Sequence, residues 1–354
     1  MMFEDDKIRV GLVGYGYAGR AFHAPLISAT DGYRLTAIAS REPAKVRADL
    51  PGLPVEADPV ALFNRDDIDL VVLASPNETH RPLAEAALAR GKHVVVDKPF
   101  TLDLADARSV IAAARRADRI VSVFQNRRWD SDFLGIRKAV EDGLIGEIFH
   151  FESHIDRFRP DVRSRWREQA GPGAGLWLDL GPHLVDQVLC LFGMPQNVQA
   201  NFAAQRNGAV VEDWVHVVLD YGKRRAILHA GMLAAGGGHR FVVHGDRGTL
   251  VKRLADIQED QLRAGMRPGS DGWGKDPDDM LHFDQAGVTR EVPVPAGDHR
   301  RFYAELRDAL RGGGGGPVPP RDALAVMAVI EAAARSSQSG EAVVPDIVGP
   351  EKAA

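Results

Sequence analysis

A six-residue run, Gly14-Tyr15-Gly16-Tyr17-Ala18-Gly19, follows directly on an apolar segment, Ile8–Val13, and precedes a helical stretch through Ala21 to Ile27. No other feature constrains the chain as much as this G-x-G-x-x-G spacing between a strand and a helix. Gly14 permits a tight turn. A side chain at Gly16 would block the close approach of a pyrophosphate. Gly19 lets the helix lie against the strand, and the helix N-terminus offers N–H groups and a positive dipole end to phosphate oxygens. All six residues are therefore candidate contacts to a dinucleotide.

The first third of the chain alternates short apolar runs with helical patterns. Strands are expected at 8–13, 35–39, 70–74, 93–96 and 120–124, with Ala-rich helices such as 83–90 and 105–116 between them. Near-continuous apolar strands separated by helices imply a parallel sheet covered on both faces. Beyond Glu147 strands dominate, at 149–156, 198–204, 215–221, 226–232, 241–244 and 249–252, several with alternating polarity. Helices are expected at 132–142, closed by Gly143, and at 180–191, 302–311 and 322–337, the last two flanking a flexible joint, Gly312 to Gly316. The predicted fold is an N-terminal Rossmann, doubly wound parallel sheet over 1–125, then a C-terminal α/β domain over 126–354. That domain is built on a mostly antiparallel, open-faced sheet, and the last helix, about 322–337, is free to return to the first domain.

At 354 residues, 45% of them hydrophobic, the chain can fill two sizeable cores. A formal charge of -5 gives no case for nucleic acid or a membrane surface as partner. The single cysteine, Cys190, excludes an intrachain disulfide, and its neighbours Leu189 and Leu191 suggest an inert core thiol. The acidic start, Met1 to Asp6, lacks an apolar signal core, and no apolar run reaches the roughly 20 residues of a membrane span, so the default location is cytoplasmic.

The end of the second strand selects the cofactor. An NAD-specific site would place Asp or Glu there, to accept from the ribose hydroxyls. This chain has Ala39-Ser40-Arg41, with Lys45 a turn later and Glu42 beyond the strand end. A guanidinium forks onto a 2′-phosphate and Ser40 can donate to it, so NADP is expected, with NAD the alternative. A plainer reading makes Arg41 and Lys45 exposed charges at a helix start.

Two clusters carry candidate chemistry. Asp97-Lys98-Pro99 ends the strand at 93–96, on the edge where open α/β sheets bind ligands, and the Lys98 ammonium can donate to a substrate oxygen. Farther on, Asp179 and His183 lie four apart, which on a helix puts them on one face, and an acid beside a histidine can bind and deprotonate an alcohol. They read equally well as an N-cap and a surface histidine. Asp186 is expected to be structural. No three-ligand pattern surrounds His183, so no metal is expected.

Together Gly14 to Gly19, Asp97-Lys98-Pro99 and the Asp179…His183 pair resemble the Gfo/Idh/MocA oxidoreductases over nearly the whole chain, although that family usually has Glu where this chain has Asp97. Within the family, His23-Ala24-Pro25-Leu26, the 125–130 run, Arg163 to Glu168, Leu191 to Pro195 and Gly272-Trp273-Gly274 resemble the NADP-dependent scyllo-inositol dehydrogenases. The resemblance implies Lys98, Asp179 and His183 as the catalytic set. It implies cofactor contacts from Ser75-Pro76-Asn77, His80, Asp97, Lys98 and Asn126. Arg127, Trp129, Arg165 and Trp166 offer planar donors and aromatic faces suited to a polyhydroxylated ring. The implied reaction is hydride exchange between NADP and a cyclic polyol. The alternatives are a sugar or sugar ketone as substrate, or a non-catalytic NAD(P)-binding regulator. An apolar open sheet face would be covered by another copy, giving a homodimer or homotetramer.

Overall fold

The computed structural model describes residues 7–312 and 316–347. The acidic start and the middle of the five-glycine joint lie outside them. The described residues form two compact units, the first holding those up to Asn126 with Gln258–Trp273 and Asp298–Ala323, the second Arg127–Ile257, Gly274–Gly297 and those from Leu324 onward.

In the first unit β1 (Ile8–Val13), α1 (Ala24–Ser28), β2 (Tyr33–Ala39), α2 (Pro43–Asp49), β3 (Val55–Glu56), α3 (Pro59–Phe63), β4 (Leu70–Leu73), α4 (His80–Leu88), β5 (His93–Val96), α5 (Leu104–Ala117) and β6 (Val121–Val123) follow in order. The sheet is parallel, in the order β3-β2-β1-β4-β5-β6. The expected Rossmann fold is present, with one addition: β3, at two residues, is too short to show a periodicity. Val10, Leu12, Leu70, Val72, Val94 and Val95 are fully buried, as a sheet covered on both faces requires. Each such side chain contributes roughly 1.5–3 kcal/mol. Helix starts follow local chemistry: Asp103 accepts the Asp106 N–H at 2.7 Å ahead of α5, and Asp58 accepts the Val60 N–H at 2.9 Å with Pro59 in the first turn of α3.

The second unit contains α6 (Ser131–Glu141), β7 (Ile148–Asp156), α7 (Leu176–Phe192), β8 (Asn197–Ala203), β9 (Trp214–Tyr221), β10 (Arg224–Gly231), β11 (Phe241–Gly245), β12 (Gly248–Lys252), β13 (Met280–Asp284) and β14 (Thr289–Val292). Between β12 and β13 the chain supplies α8 (Gln258–Arg263) to the first unit, which later also receives α9 (Arg300–Leu310). Helix α10 (Pro320–Ser339) starts in the first unit, and its Val326, Val329, Ile330 and Ala333 belong to the second unit's core.

The eight-stranded sheet has the order β14-β13-β12-β11-β7-β10-β9-β8 and is antiparallel except at β7 and β10. Its inner face carries Phe151, Val215, Val217, Leu219, Leu228, Phe241 and Val243, all fully buried with α7 residues such as Leu184 and Val188. The outer face, expected to be apolar, is so only in part. Alternation puts His150, Glu152, His154 and Asp156 of β7, His216 of β9 and His229 of β10 there, half-buried, among Val218, Ile227, Val242, Val251 and Leu281 in the same state, so the face is mixed, part apolar and part rich in histidine. Cys190 also departs from expectation: it is exposed. Adjacent leucines do not bury a helical residue, because neighbours along the chain point about 100° apart, and position 190 falls off the buried stripe of α7.

Candidate active site

Val13 pairs with Ala39 on one side and Leu73 on the other, and Leu73 pairs with Val96. The next residues, Gly14, Ser40, Ala74 and Asp97, therefore share the carboxyl edge of the parallel sheet. Gly14 has φ +92° and donates its N–H to the Ala39 carbonyl at 2.9 Å; a Cβ on it would stand 2.4 Å from the Ala74 oxygen. A Cβ on Gly19 would stand 2.1 Å from the Gly14 oxygen, whereas one on Gly16 would meet nothing within 4 Å. The first and third glycines are thus demanded by the protein itself. The middle one is not, and its bare backbone borders open space, which fits a pyrophosphate seated against the loop. The helix after the loop passes through a π-turn at Gly19–His23 before α1. Tyr15 is buried, and Tyr17 is exposed and donates to Glu259 at 2.8 Å. Although the ring is exposed, partial desolvation of its hydroxyl beside Glu259, with the Glu259 charge, pushes the Tyr17 phenol up to about 12, so it remains a donor.

At the end of β2, Ser40 Oγ accepts the Glu42 N–H at 3.1 Å, Arg41 is exposed, and Lys45 stands 3.9 Å from Glu42. Beyond β4, Pro76 leads a single 3₁₀ turn over Asn77–Thr79, Ser75 bonds the Thr79 hydroxyl at 2.6 Å, and Asn77 is buried. The His80 ring is buried, with Nδ1 2.8 Å from the Pro99 carbonyl and Nε2 3.1 Å from that of Ser75, so it ties the loop after β4 to the loop after β5. Burial holds it below the ordinary histidine range against the pull of Asp97. Asp97 accepts the Lys98 N–H at 2.8 Å, and the Lys98–Pro99 peptide is cis. Burial opposes the Asp97 charge, but His23, 3.9 Å away, with Lys98 and His80, outweighs it and keeps the carboxyl below its usual range. His23 in turn bonds the Tyr303 hydroxyl at 2.7 Å. Asn126 is buried beside His299, 3.4 Å away.

In the second unit Asp179 and His183 do stand on one helix, α7, in its first two turns, the acid partly exposed and the histidine buried. The helix begins earlier than the spacing suggested, because Glu212 caps it: its carboxylate accepts the Trp177 N–H at 3.2 Å and its carbonyl the Leu176 N–H at 3.0 Å. Gly175 leads the helix with φ +98°, where a Cβ would stand 2.1 Å from Glu212 Oε1. Pro182, inside the helix, has no N–H to offer the Leu178 carbonyl.

The residues proposed for substrate divide. Arg127 donates to Asp130 at 3.0 Å, and Arg165 donates to Glu168 at 2.6 Å. Trp129 is buried, and Trp166, 37% exposed, presents its ring. Two residues escaped the sequence reading. Arg167 lies over the Trp166 ring, 4.4 Å from its centroid, with Nε 3.3 Å from Asp179 Oδ1. Arg240, buried, donates to Asp132 at 3.0 Å, Ser153 at 2.6 Å and Gln187 at 2.6 Å, and so braces α7 from behind. Asp186 pairs with Arg128 through two bonds of 2.8 and 2.6 Å. Arg167 lies within the run Arg163 to Glu168 on which the sequence resemblance rests. Nothing local marks Arg240, since only the folded sheet sets it beside Asp132.

A dinucleotide cradle on a parallel sheet and a separate unit presenting an acid–histidine pair define a two-domain oxidoreductase. Residues 8–125 match the model of the oxidoreductase family's NAD-binding Rossmann fold, and residues 137–345 that of its C-terminal alpha/beta domain, so the chain belongs to the Gfo/Idh/MocA oxidoreductase family. It is 50% identical to the uncharacterized oxidoreductase YdgJ of Escherichia coli over 94% of this chain and 97% of that one. It is 36% identical to the scyllo-inositol 2-dehydrogenase (NADP(+)) IolW of Bacillus subtilis over 94% of each. A crystal structure from Klebsiella pneumoniae, of a protein assigned to the oxidoreductases, is 52% identical, with a TM-score of 0.92 over 98% of this chain and 97% of that chain. Among the described residues no helix is long and apolar enough to cross a membrane.

Proposed function

We propose that the chain exchanges a hydride reversibly between NADP(H) and a secondary alcohol carbon of a cyclic polyol, with scyllo-inositol and its 2-ketone as the first candidates. The observation that carries this reading is the Asp179–His183 pair on successive turns of α7, in a chain whose β5 ends in Asp97-Lys98. The likeness to the Bacillus subtilis scyllo-inositol 2-dehydrogenase supports the substrate class. Arg41 in place of an acid supports NADP, with NAD the alternative. The glycine loop fits the pyrophosphate, and Ser75 to Asn77, Asp97, Lys98 and Asn126 would lie along the same dinucleotide. The cofactor, when bound, supplies the hydride acceptor and donor.

In this reading Lys98 donates a hydrogen bond from Nζ to the substrate oxygen. The His183 imidazole takes the hydroxyl proton in oxidation and returns it in reduction, while Asp179 orients the substrate and the ring. Trp166 offers an apolar face and Arg127 and Arg165 polar edges to the ring hydroxyls. His80, buried between the Pro99 and Ser75 carbonyls and donating to one of them as a neutral ring, supports the loops rather than reaching outward. Assembly into a homodimer or homotetramer through the outer sheet face belongs to the same reading, with light scattering at micromolar concentration as its check. The reaction is tested by following NADPH absorbance with a panel of inositols, linear sugars and sugar ketones. Turnover with inositols above the others is expected; turnover confined to linear sugars, or none with any substrate, would overturn it.

A further inference from the structure

On the outer sheet face, β7 and β10 run parallel with His154 paired to His229, and neither histidine has been given a part in hydride transfer. Asp156 lies two residues beyond His154 on the same face. Its carboxylate reaches both rings, Oδ1 3.5 Å from His229 Nε2 and Oδ2 3.7 Å from His154 Nδ1, and the ring centroids lie 5.3 Å apart. One atom from each of the three residues falls within 4.8 Å of the others. The Asp156 side chain is only 8% exposed, and its buried Oδ1 makes no hydrogen bond. A carboxylate oxygen kept from water and given no donor is a liability that a bound cation removes.

The surroundings preserve this gap. A Cβ on Gly238 would stand 2.8 Å from Asp156 Oδ2, so glycine there keeps a side chain off the carboxylate, and one on Gly231 would only touch His229 Nε2 at 3.5 Å. Orientation is also provided. His154 Nε2 donates to Glu152 at 2.9 Å, which turns Nδ1 toward Asp156, and Glu152 also accepts from His150 Nε2 at 2.7 Å. A carboxylate on the far nitrogen is how proteins fix the tautomer and aim of a metal-binding imidazole. Tetrahedral bonds of about 2.0–2.1 Å to nitrogen and oxygen set ligand atoms about 3.3–3.4 Å apart. The two contacts of the Asp156 carboxylate, 3.5 Å from Oδ1 to His229 and 3.7 Å from Oδ2 to His154, exceed that by a few tenths of an ångström.

We propose that His154 Nδ1, His229 Nε2 and the Asp156 carboxylate form a binding site for a divalent transition metal, zinc in the first instance, with the fourth position open. Two imidazoles and one carboxylate select zinc-like ions over magnesium and calcium, which take oxygen ligands. The site does not depend on the dehydrogenase reading.

The test is a titration of the tag-free full chain with zinc chloride by calorimetry, with bound metal counted after gel filtration. One zinc per chain is expected, together with a rise in melting temperature. Glu152→Gln should weaken binding about 10- to 100-fold, and Asp156→Asn, His154→Gln and His229→Ala by more. Circular dichroism and elution volume identify variants that have lost the fold, and the three ligand substitutions stand in for one another. No saturable uptake by the wild type would overturn the proposal, as would one zinc retained by folded Asp156→Asn and His229→Ala chains.

Discussion

The Arg167 guanidinium stands 3.3 Å from the Asp179 carboxylate while lying over the Trp166 ring. One side chain thus links the acid of α7 to the aromatic face of the loop before it. The pair is partly solvated, with Arg167 35% exposed, so it contributes only about 0–1 kcal/mol to folding. Arg167→Ala should shift the melting temperature by less than about 4 °C. If Asp179 orients substrate, the same change should lower kcat/KM about tenfold, with Arg167→Lys recovering part of the loss because it keeps the charge but not the planar fork. Unchanged kcat/KM would assign Arg167 to the surface.

The three loop glycines make a contrasting set. Gly14→Ala and Gly19→Ala each drive a Cβ to 2.4 Å or less from a backbone oxygen and should destabilise the first unit. Gly16→Ala meets nothing in the protein, so its melting temperature should match the wild type. Its NADPH dissociation constant should nevertheless rise about tenfold or more, since the new methyl occupies the space of the pyrophosphate. Normal NADPH binding by Gly16→Ala would mean the phosphates lie elsewhere.

In the proposed reading, cofactor choice rests on Arg41, exposed just past β2. A charge-assisted contact is worth roughly 1.5–3 kcal/mol, or about ten- to hundredfold. Arg41→Asp should raise the KM for NADP by that factor and improve NAD. A wild type that already prefers NAD would remove the basis of this expectation.

His80 gives a pH dependence with a definite sign. Burial holds its folded-state pKa below the ordinary histidine value of about 6.5. Above that pH neither state takes up the proton. Below it the unfolded ring binds a proton that the folded ring refuses, so stability falls, by up to about 1.4 kcal/mol per pH unit, until the folded ring also protonates. Urea unfolding of His80→Gln between pH 4 and 7.5 should show a shallower fall than the wild type. Parallel curves would mean that His80 titrates alike in both states.

Much of this was legible in the sequence. The glycine spacing and the unbroken apolar strands announced the parallel sheet, and the four-residue interval announced Asp179 and His183 on one helix. What escaped depended on partners distant along the chain. Helix α7 starts at Leu176 because Glu212 caps it from the segment before β9. Strand β14 went unread because it is a short edge strand with exposed side chains and no buried face to set a period, and β13 because one of its two buried positions is the polar His282. His154, Asp156 and His229 look unrelated until the register of β7 with β10 is known. The histidines among the apolar residues of the outer face escaped notice because alternation reveals that two faces exist, not which strands lie side by side on the outer one.

His183 is the residue on which the proposed chemistry depends most. Oxidising an alcohol removes a hydride and a proton, and a group near the hydroxyl must accept the proton close to neutral pH. A neutral imidazole has the basicity for this, and an acid one turn earlier on the same helix can hold the substrate in line with it. His183 is buried, so its ring sits in a fixed setting rather than sampling solvent. Removing a general base costs about a hundred- to ten-thousandfold in rate. His183→Asn should therefore lower kcat by that order and leave the NADPH dissociation constant close to the wild-type value, because the phosphate cradle is built by the first unit alone. The rise of polyol oxidation with pH that reports a base should also vanish from the kcat profile. A variant that keeps both the rise and most of its rate would transfer the proton to Lys98, and Lys98→Met would then be the substitution that abolishes it.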